Sequence, residues 1–124
     1  MTTPTEIVNQ FCDEIAAGNA EKAAECFSDD AVYHNIPLDP INGRDAIRDT
    51  IAMFLGMADK VWFETSHSLA NGPLVMTERV DHFLKEGRDV ALPVMGVFEV
   101  NNDGKITAWR DYFDMNQFTS QMSD

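Results

Sequence analysis

The sequence has 124 residues, enough for one domain with a core of its own and too few for a second. With 44% hydrophobic and 24% charged residues it has core material and a polar surface, which excludes a disordered chain, a collagen or a membrane bundle. Nine Lys and Arg against twenty-one Asp and Glu leave a net charge of -12, which repels phosphate backbones and anionic lipid; neither nucleic acid nor a membrane is expected as a partner.

Residues 1–10 lack the basic and apolar regions of a secretory signal, and no run approaches the roughly eighteen apolar residues that cross a bilayer, so a cytoplasmic address is expected. Thr3-Pro4-Thr5-Glu6 predicts a helix start, with Thr3 as cap, Pro4 at the first helical position and Glu6 closing a capping box. Ile7, Val8, Phe11, Cys12 and Ile15 recur at helical spacing until Gly18-Asn19 stops the helix. A second, short helix carries Ala20, Ala23, Ala24 and Phe27 and is broken by Ser28-Asp29-Asp30; a short strand over 31–35 follows. After Asn42-Gly43 a third helix places Ile47, Ile51, Phe54 and Leu55 on one face.

From Val61 the period becomes two, with turn signals at Asn71-Gly72-Pro73, Glu86-Gly87 and Asn101-Asn102-Asp103-Gly104. The expected strands are 61–70, 74–84, 90–100 and 105–115, an antiparallel meander. Helices first and long strands second, without βαβ alternation, predict an α+β domain in which a curved sheet carries helices on one face. Cys12 and Cys26 have no ligand-like spacing and read as buried free thiols, and His34, His67 and His82 are scattered, so neither a metal nor a cofactor is expected.

Two strands carry charge where the pattern demands apolar residues. In the last, Thr107, Trp109, Asp111, Phe113 and Met115 alternate onto one face, an apolar stripe interrupted by a carboxylate. In the second long strand, Val75, Thr77, Arg79, Asp81 and Phe83 share a face with two charges between apolar flanks. Arginine offers five donors in a planar fork and keeps its proton, so Arg79 can bridge two acids. If Asp81 and Asp111 both converge on it, near-neutrality requires them to share one proton, which defines an acid and a base. A structural buried ion-pair network satisfies the same pattern. Tyr33 and Asn35, two apart on the short strand, can together hold a water; taken alone they also read as an edge aromatic and a turn former before Ile36-Pro37.

Tyr33-His34-Asn35, Gly43-Arg44-Asp45-Ala46, Thr77-Glu78-Arg79-Val80-Asp81, Gly96-Val97-Phe98 and the run from Gly104 to Asp114 that contains Trp109-Arg110-Asp111-Tyr112-Phe113-Asp114 resemble limonene-1,2-epoxide hydrolase. That family belongs to the cone-shaped superfamily of nuclear transport factor 2-like, SnoaL-like and ketosteroid-isomerase-like folds. The resemblance spans about Asp30 to Phe118 and implies a six-stranded mixed, mostly antiparallel sheet with the N-terminal helices over its concave face, a deep pocket and a homodimer. It also implies a catalytic Asp81-Arg79-Asp111 triad, with Tyr33 and Asn35 positioning water.

The chemistry that fits both arguments is one-step addition of water to a small hydrophobic epoxide, giving a vicinal diol without covalent intermediate or cofactor. Asp111 would act as base and Asp81 as acid. Candidate substrate-lining residues are Phe54, Phe83, Met95, Trp109, Phe113 and Phe118, each of which also reads as plain core. A ketosteroid-isomerase-like or polyketide-cyclase-like enzyme would need one base with a raised pKa, which an arginine clamp opposes. A non-catalytic dimeric ligand-binding module would use the pocket without the acid pair.

Overall fold

The structure, a computed structural model, describes residues 2–123. Helix α1 (Pro4–Ala16) begins as the sequence predicts: Thr3 Oγ1 accepts from the Glu6 amide at 3.2 Å, and the Glu6 carboxylate accepts from the Thr3 amide at 3.0 Å. Val8, Phe11 and Ile15 are its buried stripe. Helix α2 (Ala20–Glu25) is capped by Asn19, whose side chain accepts from the Lys22 amide. It stops before Phe27, because that residue opens the first strand, β1 (Phe27–Asn35).

Ser28-Asp29-Asp30 therefore does not break a helix but lies within a strand longer than expected. The acids are tolerated because the strand is irregular between Phe27 and Val32, which leaves Asp29 and Asp30 exposed, and Asp29 meets Arg44 at 2.6 Å. A two-residue strand, β2 (Ile41–Asn42), pairs antiparallel with β1 and leads into helix α3 (Arg44–Leu55), which buries Ile47 and Ile51.

The long strands follow: β3 (Lys60–Asn71), β4 (Leu74–Lys85), β5 (Arg88–Val100) and β6 (Ile106–Tyr112). The β4–β5 turn uses left-handed backbone at both Glu86 (φ 52°) and Gly87 (φ 79°), the geometry that matches the twist of a tight hairpin. The sheet order is β2-β1-β6-β5-β4-β3, and β1 runs parallel to β6 while all other pairs are antiparallel. The last strand ends at Tyr112, short of the expected Met115. Asp114 caps a helix not anticipated from the sequence, α4 (Met115–Met122), by accepting from the Asn116 and Gln117 amides. That helix covers β5 where β6 has ended: the Gln121 side chain donates to the Ala91 carbonyl at 2.9 Å and accepts from its amide at 3.2 Å.

The registers bring one file of side chains to one face. Trp109 and Asp111 on β6 stand beside Tyr33 and Asn35 on β1 and beside Phe98 and Gly96 on β5. Gly96 in turn is opposite Thr77 on β4, and Asp81 is opposite Phe63 on β3. Helix α1 closes one end of this face through Phe11, whose ring meets those of Trp109 at 4.8 Å, Phe27 at 5.3 Å and Phe98 at 6.0 Å. Beyond Gly96 toward the other end the face stays hollow.

Candidate active site

The hollow is a cavity of about 490 Å³ between the sheet, α3 and α4. Tyr33, Asn35, Asp39, Thr50, Asp81 and Asp111 contribute its polar side chains, and Phe54, Phe63, Phe83, Leu92, Val94, Phe113 and Phe118 much of its apolar wall. A larger hollow, about 970 Å³, lies by the Asn101–Gly104 turn, but none of its charged residues, Glu14, Lys22, Glu25, Asp103 and Lys105, is buried.

Arg79 is 1% exposed, and its donors all have partners. Nε donates to Asp81 Oδ1 at 2.9 Å. Nη2 bridges the two acids, donating to Asp81 Oδ2 at 2.9 Å and to Asp111 Oδ2 at 2.8 Å. Nη1 donates to Asp111 Oδ1 at 3.1 Å and to Thr77 Oγ1 at 3.3 Å. The guanidinium carbon lies 4.7 Å from the centre of the Phe63 ring and 6.0 Å from that of Phe98, so its faces are shielded from water. Burial by itself would favour losing the proton, but Asp111 and Asp81 outweigh it and raise the pKa further, so the cation is permanent.

The two carboxyl groups are held unequally. Asp111 Oδ1 accepts a third bond, from Trp109 Nε1 at 2.7 Å, while among the described residues Asp81 accepts from Arg79 alone. Burial pushes the Asp81 carboxyl up to about 6; Arg79 opposes this and the charge of Asp111 reinforces it. One cation between two buried acids leaves an excess negative charge unless a proton is bound, and Asp81, which accepts fewer hydrogen bonds than Asp111, is the better placed of the two to bind it. Tyr33 stacks on Trp109 with ring centres 3.8 Å apart and planes 5° from parallel. Burial and the charge of Asp111 raise its pKa, against the effect of Asn35, so the phenol keeps its proton and remains a donor.

Phe54, Phe83, Phe113 and Phe118 are on the cavity wall, and the edge of Phe83 packs on Phe118 at 5.5 Å. Two expected lining residues are elsewhere. Met95 is 47% exposed on the outer face, because the inward residues of β5 are its even-numbered set, Leu92, Val94, Gly96 and Phe98. Trp109 is fully buried between Tyr33 and Phe98 and reaches the site only through Asp111.

Gly96 is a site residue that pattern reading passed over. A Cβ built on it would clash with Arg79 Nη1 and stand 2.9 Å from both Asp111 Oδ1 and Thr77 Oγ1, so the guanidinium can lie across β5 only because that position lacks a side chain. A glycine in the middle of a thirteen-residue strand is the sequence signal that marks such a close approach. Cys12, half-buried on α1, is no alternative nucleophile, since burial pushes its thiol up to about 12. Among the described residues no group of His, Cys, Asp and Glu is arranged to hold a metal ion, and no helix is long and apolar enough to cross a membrane.

Solved structures show the class to which this cone of sheet and helices belongs. A protein with a ketosteroid-isomerase-like fold from Catenulispora acidiphila superposes with a TM-score of 0.85 at 21% identity, over 97% of this chain and 94% of that one. An NTF2-like protein and a SnoaL-like one share the same fold with this chain, so the fold is the nuclear transport factor 2-like, SnoaL-like one. Within that class the comparisons are more specific. The family model for the limonene-1,2-epoxide hydrolase catalytic domain matches residues 2–123. The epoxide hydrolase EphG of Mycobacterium tuberculosis is 36% identical over 110 residues, 87% of this chain and 71% of that protein. The structure of an LEH-like epoxide hydrolase from M. tuberculosis matches with a TM-score of 0.79 and 30% identity, over 96% of this chain and 88% of that one. The chain belongs to the limonene-1,2-epoxide hydrolase family and is an enzyme of the epoxide hydrolase type.

Proposed function

We propose that this chain adds water to a hydrophobic epoxide in a single step, with Asp111 as general base and Asp81 as general acid. The observation that carries the reading is Arg79 Nη2 bridging two buried carboxyl groups that line one apolar cavity. Asp111, which accepts three hydrogen bonds, serves as the carboxylate base. Tyr33 and Asn35, beside it on β1, hold the nucleophilic water. As a water O–H bond breaks toward Asp111, the water oxygen bonds to an epoxide carbon, and that carbon's bond to the ring oxygen opens. The developing alkoxide takes the proton of Asp81. The product is a vicinal diol, and the proton now on Asp111 must return to Asp81 before the next turnover. Arg79, hydrogen-bonded to both acids, stabilises the negative charge as it shifts from Asp111 to Asp81, which favours the transition state without rearranging the site. No residue forms a bond to substrate and no cofactor takes part.

The same reading includes a homodimer. The outer sheet face exposes Leu69, Met76, Met95 and Tyr112, with Met76 opposite Leu69 and Met95 opposite Tyr112 across neighbouring strands, an apolar strip suited to a second copy.

Diol formation over a panel of terpene, aryl and alkyl epoxides tests the activity. Asp111→Asn, unable to accept the proton, should lose about 10²- to 10⁴-fold in turnover. In ¹⁸O water a single turnover should label the diol and leave the protein unlabelled; label in Asp81 or Asp111 would replace this mechanism by a covalent ester pathway.

A further inference from the structure

The cavity wall changes character along its depth. Tyr33, Asp81 and Asp111 are buried, whereas three large apolar residues of the same wall stand in solvent: Leu38 at 49% exposure, Met53 at 63% and Met57 at 38%. Leu38 lies in the loop joining β1 to β2, Met53 in the last turn of α3 and Met57 just beyond that helix, so two separate segments converge to make an apolar rim. None of the three packs into the hydrophobic core. Among the described residues, Asp39 is the one charged residue of the wall outside the Arg79 cluster, and it is exposed at the same rim.

Taking the epoxide hydrolase reading as its basis, we propose that the substrate is an uncharged epoxide with an apolar tail longer than the cavity. Its oxirane lies at the Asp81–Asp111 end, and the tail leaves across Leu38, Met53 and Met57. A cavity of about 490 Å³ takes a ligand of roughly drug size, so a chain anchored at the acids has to fill it before it reaches the rim. A molecule enclosed within it would leave the rim bare, whereas a tail laid over the rim covers apolar surface that is otherwise hydrated. Unbranched methionines adapt to tails of differing shape, so the rim favours length over a particular outline. An anionic tail is disfavoured, because it would end beside Asp39 on a protein of net charge -12.

The test uses neutral terminal epoxides of increasing length, epoxyhexane, epoxyoctane and epoxydodecane, below their aggregation limits, together with the ω-epoxy acid matching the longest. The ratio kcat/KM should rise by up to about fourfold per methylene, less for those only half covered at the rim. Met53→Gln and Leu38→Gln, both at exposed positions, should lower kcat/KM for epoxydodecane at least about fourfold more than for epoxyhexane, the equivalent of one buried methylene. The acid should be a poorer substrate than its neutral counterpart, with Asp39→Asn narrowing the gap. A length-independent kcat/KM, equal losses on short and long epoxides, or an acid turned over as well as the neutral compound would overturn the proposal. If no epoxide is turned over, the hydrolase reading fails by itself. Calorimetric binding of dodecane-1,2-diol against hexane-1,2-diol, in wild type and Met53→Gln, then still decides whether the rim holds a tail.

Discussion

Replacing Gly96 by alanine should unseat the Arg79 guanidinium. The added Cβ meets Arg79 Nη1, Asp111 Oδ1 and Thr77 Oγ1 at or below 2.9 Å, where carbon contacts normally settle near about 3.5–4 Å. The strand has no room to retreat, because Gly96 is paired to Thr77 on one side and to Asp111 on the other. The guanidinium must therefore withdraw, giving up the Nη1 bonds to Asp111 and Thr77 while both acids stay buried. Overpacking of this kind costs about 1–3 kcal/mol, and a hydrogen bond to a charged group contributes about 1.5–3 kcal/mol, so a loss of about 3–5 kcal/mol in stability is expected. Turnover should fall by about 10²-fold or more, since a displacement of about 1 Å misaligns both proton transfers. Urea unfolding at constant m-value reads the first quantity, and initial rates of diol formation read the second. Val97→Ala, on the opposite face of the same strand, controls for a generic loss in β5. A Gly96→Ala protein within about 1 kcal/mol of wild type and retaining half its turnover would refute the seating of the guanidinium over this glycine.

The pKa of Asp81 has two consequences with the same sign. Because folding raises it from the ordinary 3.8 to about 6, the native state binds the proton more tightly than the unfolded chain, so stability should fall by about 3 kcal/mol as pH rises through that window. Asp81→Asn should lack this part of the slope, and identical pH profiles of unfolding for both proteins would contradict it. As the acid, Asp81 must be protonated to act, so kcat/KM should decline above about pH 6 in an assay corrected for stability; activity rising steadily into alkali would remove the assignment. Trp109→Phe keeps an aromatic ring in the stack but removes the 2.7 Å donor to Asp111, and should reduce turnover by about 10-fold or more while the fold persists; unchanged kinetics would show that the indole serves packing alone. Tyr33→Phe and Asn35→Ala should lower kcat more than they raise KM, and a change confined to KM would make them substrate contacts instead of water holders.

Much of the site was already implied by local pattern. Arg79 and Asp81 lie two apart, so any strand through them puts both on one face, and the apolar flanks Val75 and Phe83 show that this face is the buried one. The same reasoning marked Asp111 between Trp109 and Phe113. What alternation cannot supply is the partner across the sheet: Arg79 and Asp111 are 32 residues apart, and their meeting depends on the register of β4, β5 and β6 and on the missing side chain at Gly96.

Where both faces of a strand are apolar, alternation carries no sign. From Val90 to Phe98, β5 is hydrophobic or small at every position, so nothing local separates Leu92 and Val94, which face the cavity, from Met95, which faces out; the pairing with β4 and β6 does. The run from Thr107 to Met115 alternates past the real end of β6, and the Asp114 cap prevails because its carboxylate satisfies two amides that start α4. The sequence by itself thus determined the three N-terminal helices, the four long strands, the buried charged face and the acid-base chemistry open to it, since these follow from side-chain type and period. Only the tertiary structure decided that Trp109 braces Asp111 without lining the cavity, and that Leu38, Met53 and Met57 form its rim, because those roles come from contacts between segments with no pattern in common.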